Sequence, residues 1–250
     1  MMARMIELNH SNYYSPEANE QYFSVSQYKD FMKCEGMAMA KISGSYRPEM
    51  TRAMLIGSFV DSYFEGTLEQ FIQENPAVFT RKNELRSEFR KANGIIARIK
   101  NDELFMRFMS GEKQRIMTFE LFGVPWKMKM DSFLEHTCIT DLKIVANFRT
   151  LPLWRYDLQG AVYQRGVEIV TGERLPFYLA VGTKERITDL DIFQIPQTTL
   201  DMALNEIDQN IGHFAEVKAG LMEPHYCGKC DYCKSVKAAS IRNYNELLEV

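Results

Sequence analysis

The chain has 250 residues, 46% of them hydrophobic, and its 30 Lys and Arg against 33 Asp and Glu leave a net charge of −3. That balance suits a globular protein with a sizeable core and excludes an all-over basic coat, so any nucleic-acid contact must be local. No run approaches the ~18 apolar residues of a membrane span, and the N-terminus has no basic stretch followed by an apolar one, so a soluble, non-secreted, cytoplasmic protein is expected. Five cysteines without a signal peptide point to a reducing compartment.

No repeat, low-complexity tract or linker divides the sequence. It reads as a single domain over 1–250: a helical N-terminal region at about 24–110, sheet and helices at about 112–220, and a Cys-rich segment over 221–250. Ser24 or Ser26 can cap a helix through Cys34, Pro48 suits the first turn of a helix over Glu49 to Glu65, and another helix follows Ser87. From Arg115, short aromatic and β-branched segments broken at Gly123-Val124-Pro125 and near His136-Thr137 predict an antiparallel meander. Pro152 opens a helix with Trp154, Leu158, Ala161, Val162 and Ile169 on one face, and Gly172 ends it. Strands follow over Leu175 to Val181 and Arg186 to Phe193. Leu200, Ala203, Leu204, Ile207, Ile211 and Phe214 then form an amphipathic helix. The order predicts a mixed α/β fold, a central mixed sheet flanked by helices.

The segment from Lys127 to Lys143 carries the chemistry. In a strand, Asp141 and Lys143 share a face with Ile139 and Val145, and Asp131 on the preceding strand can point at the same spot. Two carboxylates and an ammonium converging on a core must pair or bind a cation. Hard cations such as Mg²⁺ take oxygen ligands, and the Leu142 carbonyl is a natural third. A lysine beside them can stabilise charge growing on a phosphate. The bland alternative is a surface hairpin with a cross-strand ion pair. Gln159 and Tyr163 lie one turn apart on the following helix, and Asp61 and Glu65 share a helical stripe upstream.

The ordered set Gly57-x-x-x-Asp61, Asp131, Asp141-Leu142-Lys143 and Gln159-x-x-x-Tyr163 resembles the PD-(D/E)xK nuclease superfamily. Within it the set is most similar to the RecB-like domains and the exodeoxyribonuclease VIII (RecE-like) phage exonucleases, over about Ser24 to Cys233. The resemblance implies a restriction-endonuclease-like core and a Mg²⁺- or Mn²⁺-dependent DNA exonuclease, a hydrolase acting from the ends of linear duplex DNA. It implies catalytic roles for Lys143, Asp141, Asp131, Gln159 and Tyr163, and metal ligation by Asp131, Asp141 and Leu142. Asp61 stands where the RecB-like branch usually has a histidine, with Glu65 as the fallback ligand. It further implies a bacterial or prophage setting in DNA recombination, a single-strand annealing protein as partner, and a homo-oligomeric ring around the DNA. The alternatives are a single-strand-preferring iron-sulfur nuclease of the RecB-like type and a non-catalytic DNA-binding adaptor.

Cys227, Cys230 and Cys233 place three thiols in one short loop, a grouping suited to a metal. By resemblance, Cys34 before the core would join them around a [4Fe-4S] cluster that staples the chain ends. The alternatives are Zn²⁺ with His225, or plain thiols. Between Arg81 and Lys100, seven basic residues, including Arg81, Lys82, Arg86, Arg90 and Lys91, against Glu84 and Glu88 give a local +5 that suits DNA phosphates.

Overall fold

The structure, a computed structural model, describes residues 5–241 and 243–247. Residues 248–250, the end of the expected Cys-rich segment, lie outside the described residues, as do 1–4 and 242. The N-terminal half is helical: α1 (Pro16–Gln21), α2 (Val25–Lys33), α3 (Glu35–Ile42), α4 (Arg52–Glu65), α5 (Leu68–Glu74), α6 (Ser87–Lys100) and α7 (Glu103–Phe108). Then come β1 (Arg115–Leu121), β2 (Val124–Met130), β3 (Ser132–Leu134), β4 (Cys138–Val145), α8 (Tyr156–Thr171), β5 (Phe177–Thr183) and β6 (Leu190–Gln194). α9 (Gln197–Lys218) and α10 (Asp231–Val236) follow, and after them a 3-10 turn over Tyr244–Leu247.

The expected mixed sheet is present, with order β3-β4-β5-β6; β4 and β5 are parallel and the outer pairs antiparallel. Parallel neighbours need a long crossover, and α8 supplies it. β1 and β2 form a separate antiparallel ribbon, from Arg115↔Met130 to Leu121↔Val124. One residue, Asp131, bends the chain out of β2 and into β3.

β4 sends apolar residues to both faces because the sheet is covered on both, and it carries Asp141 and Lys143 among them. Ile139 and Val145 enter a core built with α2, α8 and α9, around Trp126, Tyr28 and Phe177. Leu142, with Ala180 of β5, enters a second core under α4, α6 and α7, around Phe59, Phe89, Ile95 and Phe105. Asp141 is therefore buried at the edge of these layers, and Lys143 beside it is only partly covered.

Several predicted elements shift for local reasons. The helix expected from Pro48 begins at Arg52, because the Thr51 hydroxyl accepts the Met54 N–H at 3.2 Å and takes the cap. Ser24 caps α2 as expected, but Cys34 adopts an extended conformation that ends α2 and starts α3. Pro152 does not open α8. Phe148–Trp154 is a 3-10 turn, and Arg155, at φ 51°, resets the chain before Tyr156. That reset moves Trp154 off the apolar face, leaving it 59% exposed, while Ile169 near the far end of α8 is 42% exposed. Gly172 ends the helix at φ 81°, the left-handed conformation that favours glycine.

α8 lies close to the sheet because of Gly160: a Cβ there would meet the Phe177 ring at 2.7 Å and Leu200 at 2.8 Å. Gly160→Ala is expected to cost about 1–3 kcal/mol by overpacking, read as a lower denaturation midpoint at unchanged m-value. An unchanged midpoint would mean that the helix can lift off without penalty.

Candidate active site

Asp131 sits at the bend where β3 separates from the β1–β2 ribbon. Its Oδ2 accepts the Leu142 N–H at 2.9 Å, and its Oδ1 accepts from Gln114 Nε2 at 3.2 Å. The β3–β4 pairing ends at Ser132↔Thr140, so beyond it the β4 edge is open. In an extended strand a residue's N–H and C=O leave from the same edge, so the Leu142 carbonyl also faces the Asp131 side. Asp141 is 2% exposed; its Oδ1 accepts from Gln159 Nε2 at 2.7 Å, and its Oδ2 meets the Lys143 ammonium in an ion pair. The helix that crosses the sheet thus holds the strand's carboxylate through a residue one turn before Tyr163. The Tyr163 hydroxyl donates to the Lys129 carbonyl at 3.1 Å, and its ring packs edge-on against Phe177.

From the opposite layer α4 brings Asp61 and Glu65 to the same cleft, a cavity of about 520 Å³ lined by Asp61, Glu65, Asp131, Asp141, Lys143, Gln159 and Tyr163. Asp61 Oδ1 is buried without a hydrogen-bond partner, and so is Gln114 Oε1. Buried polar atoms left unpaired in a cleft of carboxylates are what a bound cation would satisfy. Burial, with Asp131 nearby, raises the Asp61 carboxyl well above its ordinary value. Burial also raises Asp141, to about 7, against the opposing pull of Lys143. For Lys143, burial acts against the ammonium, but Asp141 and Asp131 more than offset it, so its pKa stands above the ordinary lysine value. The group is a fixed cation at any physiological pH and cannot serve as a base.

The cleft's other side comes from residues that the motif does not contain: Tyr13, Tyr14, Lys29, Lys41 and Lys129. Lys29 donates to the Trp154 carbonyl at 2.7 Å, and burial together with Lys143 lowers it to about 8. Lys129 lies 4.8 Å from the centre of the Tyr14 ring. No spacing rule reaches Tyr13, Tyr14, Lys29 or Lys41, since α2, α3 and the segment before α1 lie far upstream of β4, whereas Lys129 stands two residues before Asp131 in the segment that carries the chemistry. Conversely, none of Arg81, Lys82, Arg86, Arg90 and Lys91 lines the cleft. Arg86 donates to the Ala77 and Phe79 carbonyls, and Arg90 and Lys91 also bond carbonyls, while Arg81 and Lys82 project from an exposed turn.

Cys34, Cys227, Cys230 and Cys233 meet in a second cluster, whose sulfurs all lie within 4.8 Å of one another. His225 is outside that set; its N–H donates to Glu35 Oε2 at 2.7 Å. Cys138, 2% exposed, packs elsewhere, in the strand interior. His213 pairs with Glu35 and His136 with Glu173, both at 2.7 Å. Among the described residues no helix is long and apolar enough to cross a membrane.

An acid at a strand bend, a second acid and a lysine on the next strand, and a crossover helix that clamps them define the fold of a PD-(D/E)xK nuclease. The model of one such family, the PDDEXK-like domain of unknown function (DUF3799), matches residues 24–236, and the chain belongs to that family. A crystal structure described as a "Putative exonuclease" from Eubacterium rectale is 43% identical with a TM-score of 0.94, covering 97% of this chain and 98% of that one. A solved structure of SSO0001 shares 14% identity at a TM-score of 0.34, over 86% of this chain and 98% of that one, a likeness too slight to weigh. No curated protein matches the chain.

Proposed function

We propose that the chain is a Mg²⁺- or Mn²⁺-dependent exonuclease that hydrolyses phosphodiester bonds from the ends of linear duplex DNA. The observation that carries the reading is the buried, unpartnered Asp61 Oδ1 facing the cleft of Asp131, Asp141 and Lys143. The description of the Eubacterium rectale relative supports it. Asp61, Asp131, Asp141 and the Leu142 carbonyl would hold the cation, with Glu65 beside them in the cleft. A divalent cation there supplies Lewis acidity to the scissile phosphate. Lys143, held as an ammonium, stabilises the negative charge that grows on the phosphate as water attacks. Gln159 fixes the orientation of Asp141 through Oδ1. Tyr163, pinned to the Lys129 carbonyl, keeps α8 seated on β2. Lys29 and Lys129 offer positive charge to the phosphates of the strand entering the cleft.

An end-dependent enzyme is expected to degrade linear duplex DNA in Mg²⁺ and to leave a covalently closed circle of the same sequence intact. Cutting of the circle at a comparable rate would overturn the exonuclease reading. A ring of copies around the duplex, working beside a single-strand annealing protein, fits this activity. Long processive tracts together with an oligomeric mass in light scattering are its expected signs.

The basic patch is assigned to the duplex flanking the cleft. Replacing Arg81 and Lys82 with alanine is expected to reduce the slope of log Kobs against log salt by about 1 per lost phosphate contact. An unchanged slope would take this turn off the DNA path.

A further inference from the structure

The four clustered cysteines lie outside the active-site cleft, and their sulfur separations discriminate between metals. Cys34 Sγ is 3.5 Å from Cys233 Sγ, Cys227 Sγ is 3.9 Å from Cys233 Sγ, and no pair in the set exceeds 4.8 Å. One tetrahedral ion with metal–sulfur bonds of about 2.3 Å requires sulfurs about 3.8 Å apart. A [4Fe-4S] cubane attaches each cysteine to a different iron and directs the sulfurs outward, so they must stand on the order of 6 Å apart. The observed set matches the first polyhedron and is too small for the second. Spacing alone points toward the second, since C-x2-C-x2-C is the run of bacterial ferredoxin clusters, so the sulfur separations decide.

We propose that Cys34, Cys227, Cys230 and Cys233 hold a single tetrahedral zinc ion, and that no [4Fe-4S] cluster forms there. Two consecutive turns aim the sulfurs inward: the Cys230 N–H donates to Cys227 Sγ and the Cys233 N–H to Cys230 Sγ, each at 3.4 Å. Such bonds spread the charge of a tetrathiolate. Gly228, at φ 70°, makes the first turn. Among single ions zinc is favoured over ferrous iron because divalent affinities at a fixed ligand set rise along the series from iron toward copper and zinc.

The ion has a structural task. Among the described residues the segment after α9 carries one α-helix, α10, of 6 residues, in which only Cys233 is buried, and a short 3-10 turn over Tyr244–Leu247. Its apolar anchorage is slight, a cluster of Cys34, Met37 and Cys233 with Tyr46 and Tyr232 against it. Beyond that it is tied to α3 by Gly36 N–H to the His225 carbonyl at 3.1 Å and by His225 N–H to Glu35. Gly36 admits the Tyr226 ring, which a Cβ would meet at 2.5 Å. A six-residue helix with one buried side chain does not hold itself in place, and metal ligation supplies the missing docking energy. The ion thereby joins the α2–α3 junction to the segment after α9, and it braces the α2–α3 layer from which Lys29 and Lys41 reach the cleft.

The test is metal and sulfide analysis of the full chain, purified without oxygen from cells grown with both iron and zinc in excess. About one zinc per chain is expected, without iron, sulfide or a visible absorption band. Cobalt exchanged into the site should give the intense bands of a tetrahedral thiolate centre. Cys34→Ser and Cys230→Ser should each lose zinc and lower Tm, and Cys138→Ser should keep both. Should the serine variants fail to fold, chelation of the parent protein provides the same readout, with zinc release accompanied by a fall in Tm. Iron near four per chain with equivalent sulfide, a lone iron in place of zinc, or metal-free protein indifferent to chelator would each overturn the proposal.

Discussion

Lys143→Ala and Asp141→Asn are each expected to lower the single-turnover rate on linear duplex DNA by about 10³-fold, with DNA affinity close to that of the parent. The size follows from what each atom does. Lys143 is a half-buried ammonium held above its ordinary pKa by two carboxylates, at the cleft where phosphate charge would grow. Removing one preorganised donor of this kind costs about 10²–10³-fold in a water-poor site. Asp141→Asn keeps the shape but replaces a charged cation ligand with a neutral one and breaks the pair with Lys143. Its loss should be the larger of the two and should lessen in part at high Mn²⁺. Lys143→Arg keeps the charge but not the compact geometry, and should restore little. A Lys143→Ala rate within tenfold of the parent, with circular dichroism and melting unchanged, would remove the lysine from the chemistry.

Asp61→Asn is expected to separate stability from activity. Asp61 Oδ1 is buried without a hydrogen-bond partner, which makes the anion costly, and the raised pKa expresses that cost. The sign follows from proton counting. Between the unfolded value near 3.8 and the raised folded value, the folded state binds more protons than the unfolded one. Stability of the metal-free protein is therefore full below that window and is lost as pH rises through it. Asp141, raised to about 7, adds to the same slope. The asparagine variant removes the Asp61 share, so without divalent metal its Tm at pH 8 should exceed that of the parent. With Mg²⁺ the order should reverse, since a cation at 100 times its Kd stabilises by about 2.7 kcal/mol only where the ligand set is intact. Activity should fall by about 10²-fold or more with the weaker site. A metal-free Tm that drops on substitution would show Asp61 to be a structural acid instead.

The motif residues were legible in the sequence because their chemistry depends on short periods. Asp141 and Lys143 share a face by strand alternation, and Gln159 and Tyr163 share one by helical rise, so the structure needed only to fold one onto the other. α8, α9 and the mixed sheet were legible for the same reason, from Leu158 with Val162 and from Leu200 through Phe214. The errors fall where a single residue overrides a pattern. Arg155 in the left-handed region detaches Trp154 from α8, and the Thr51 cap starts α4 at Arg52 instead of in the turn that Pro48 opens. Lys29 and Gln114 were illegible because contact across long stretches of chain leaves no local period, while Lys129, two residues before Asp131, stood inside the segment that carries the chemistry without a role of its own. The cysteine set was legible as a group, but its size, which distinguishes one ion from a cluster, is a distance that spacing does not contain.

The central claim, that this cleft of carboxylates and one fixed ammonium is a cation-dependent phosphodiesterase, is tested most directly by titrating Mg²⁺ into the parent protein with end-labelled linear duplex DNA. Release of labelled nucleotide should be absent in EDTA, rise and saturate with Mg²⁺, and stay at background for Lys143→Ala across the range. Release that persists in EDTA, or none with Mg²⁺ or Mn²⁺ at low salt where the DNA is demonstrably bound, would contradict it.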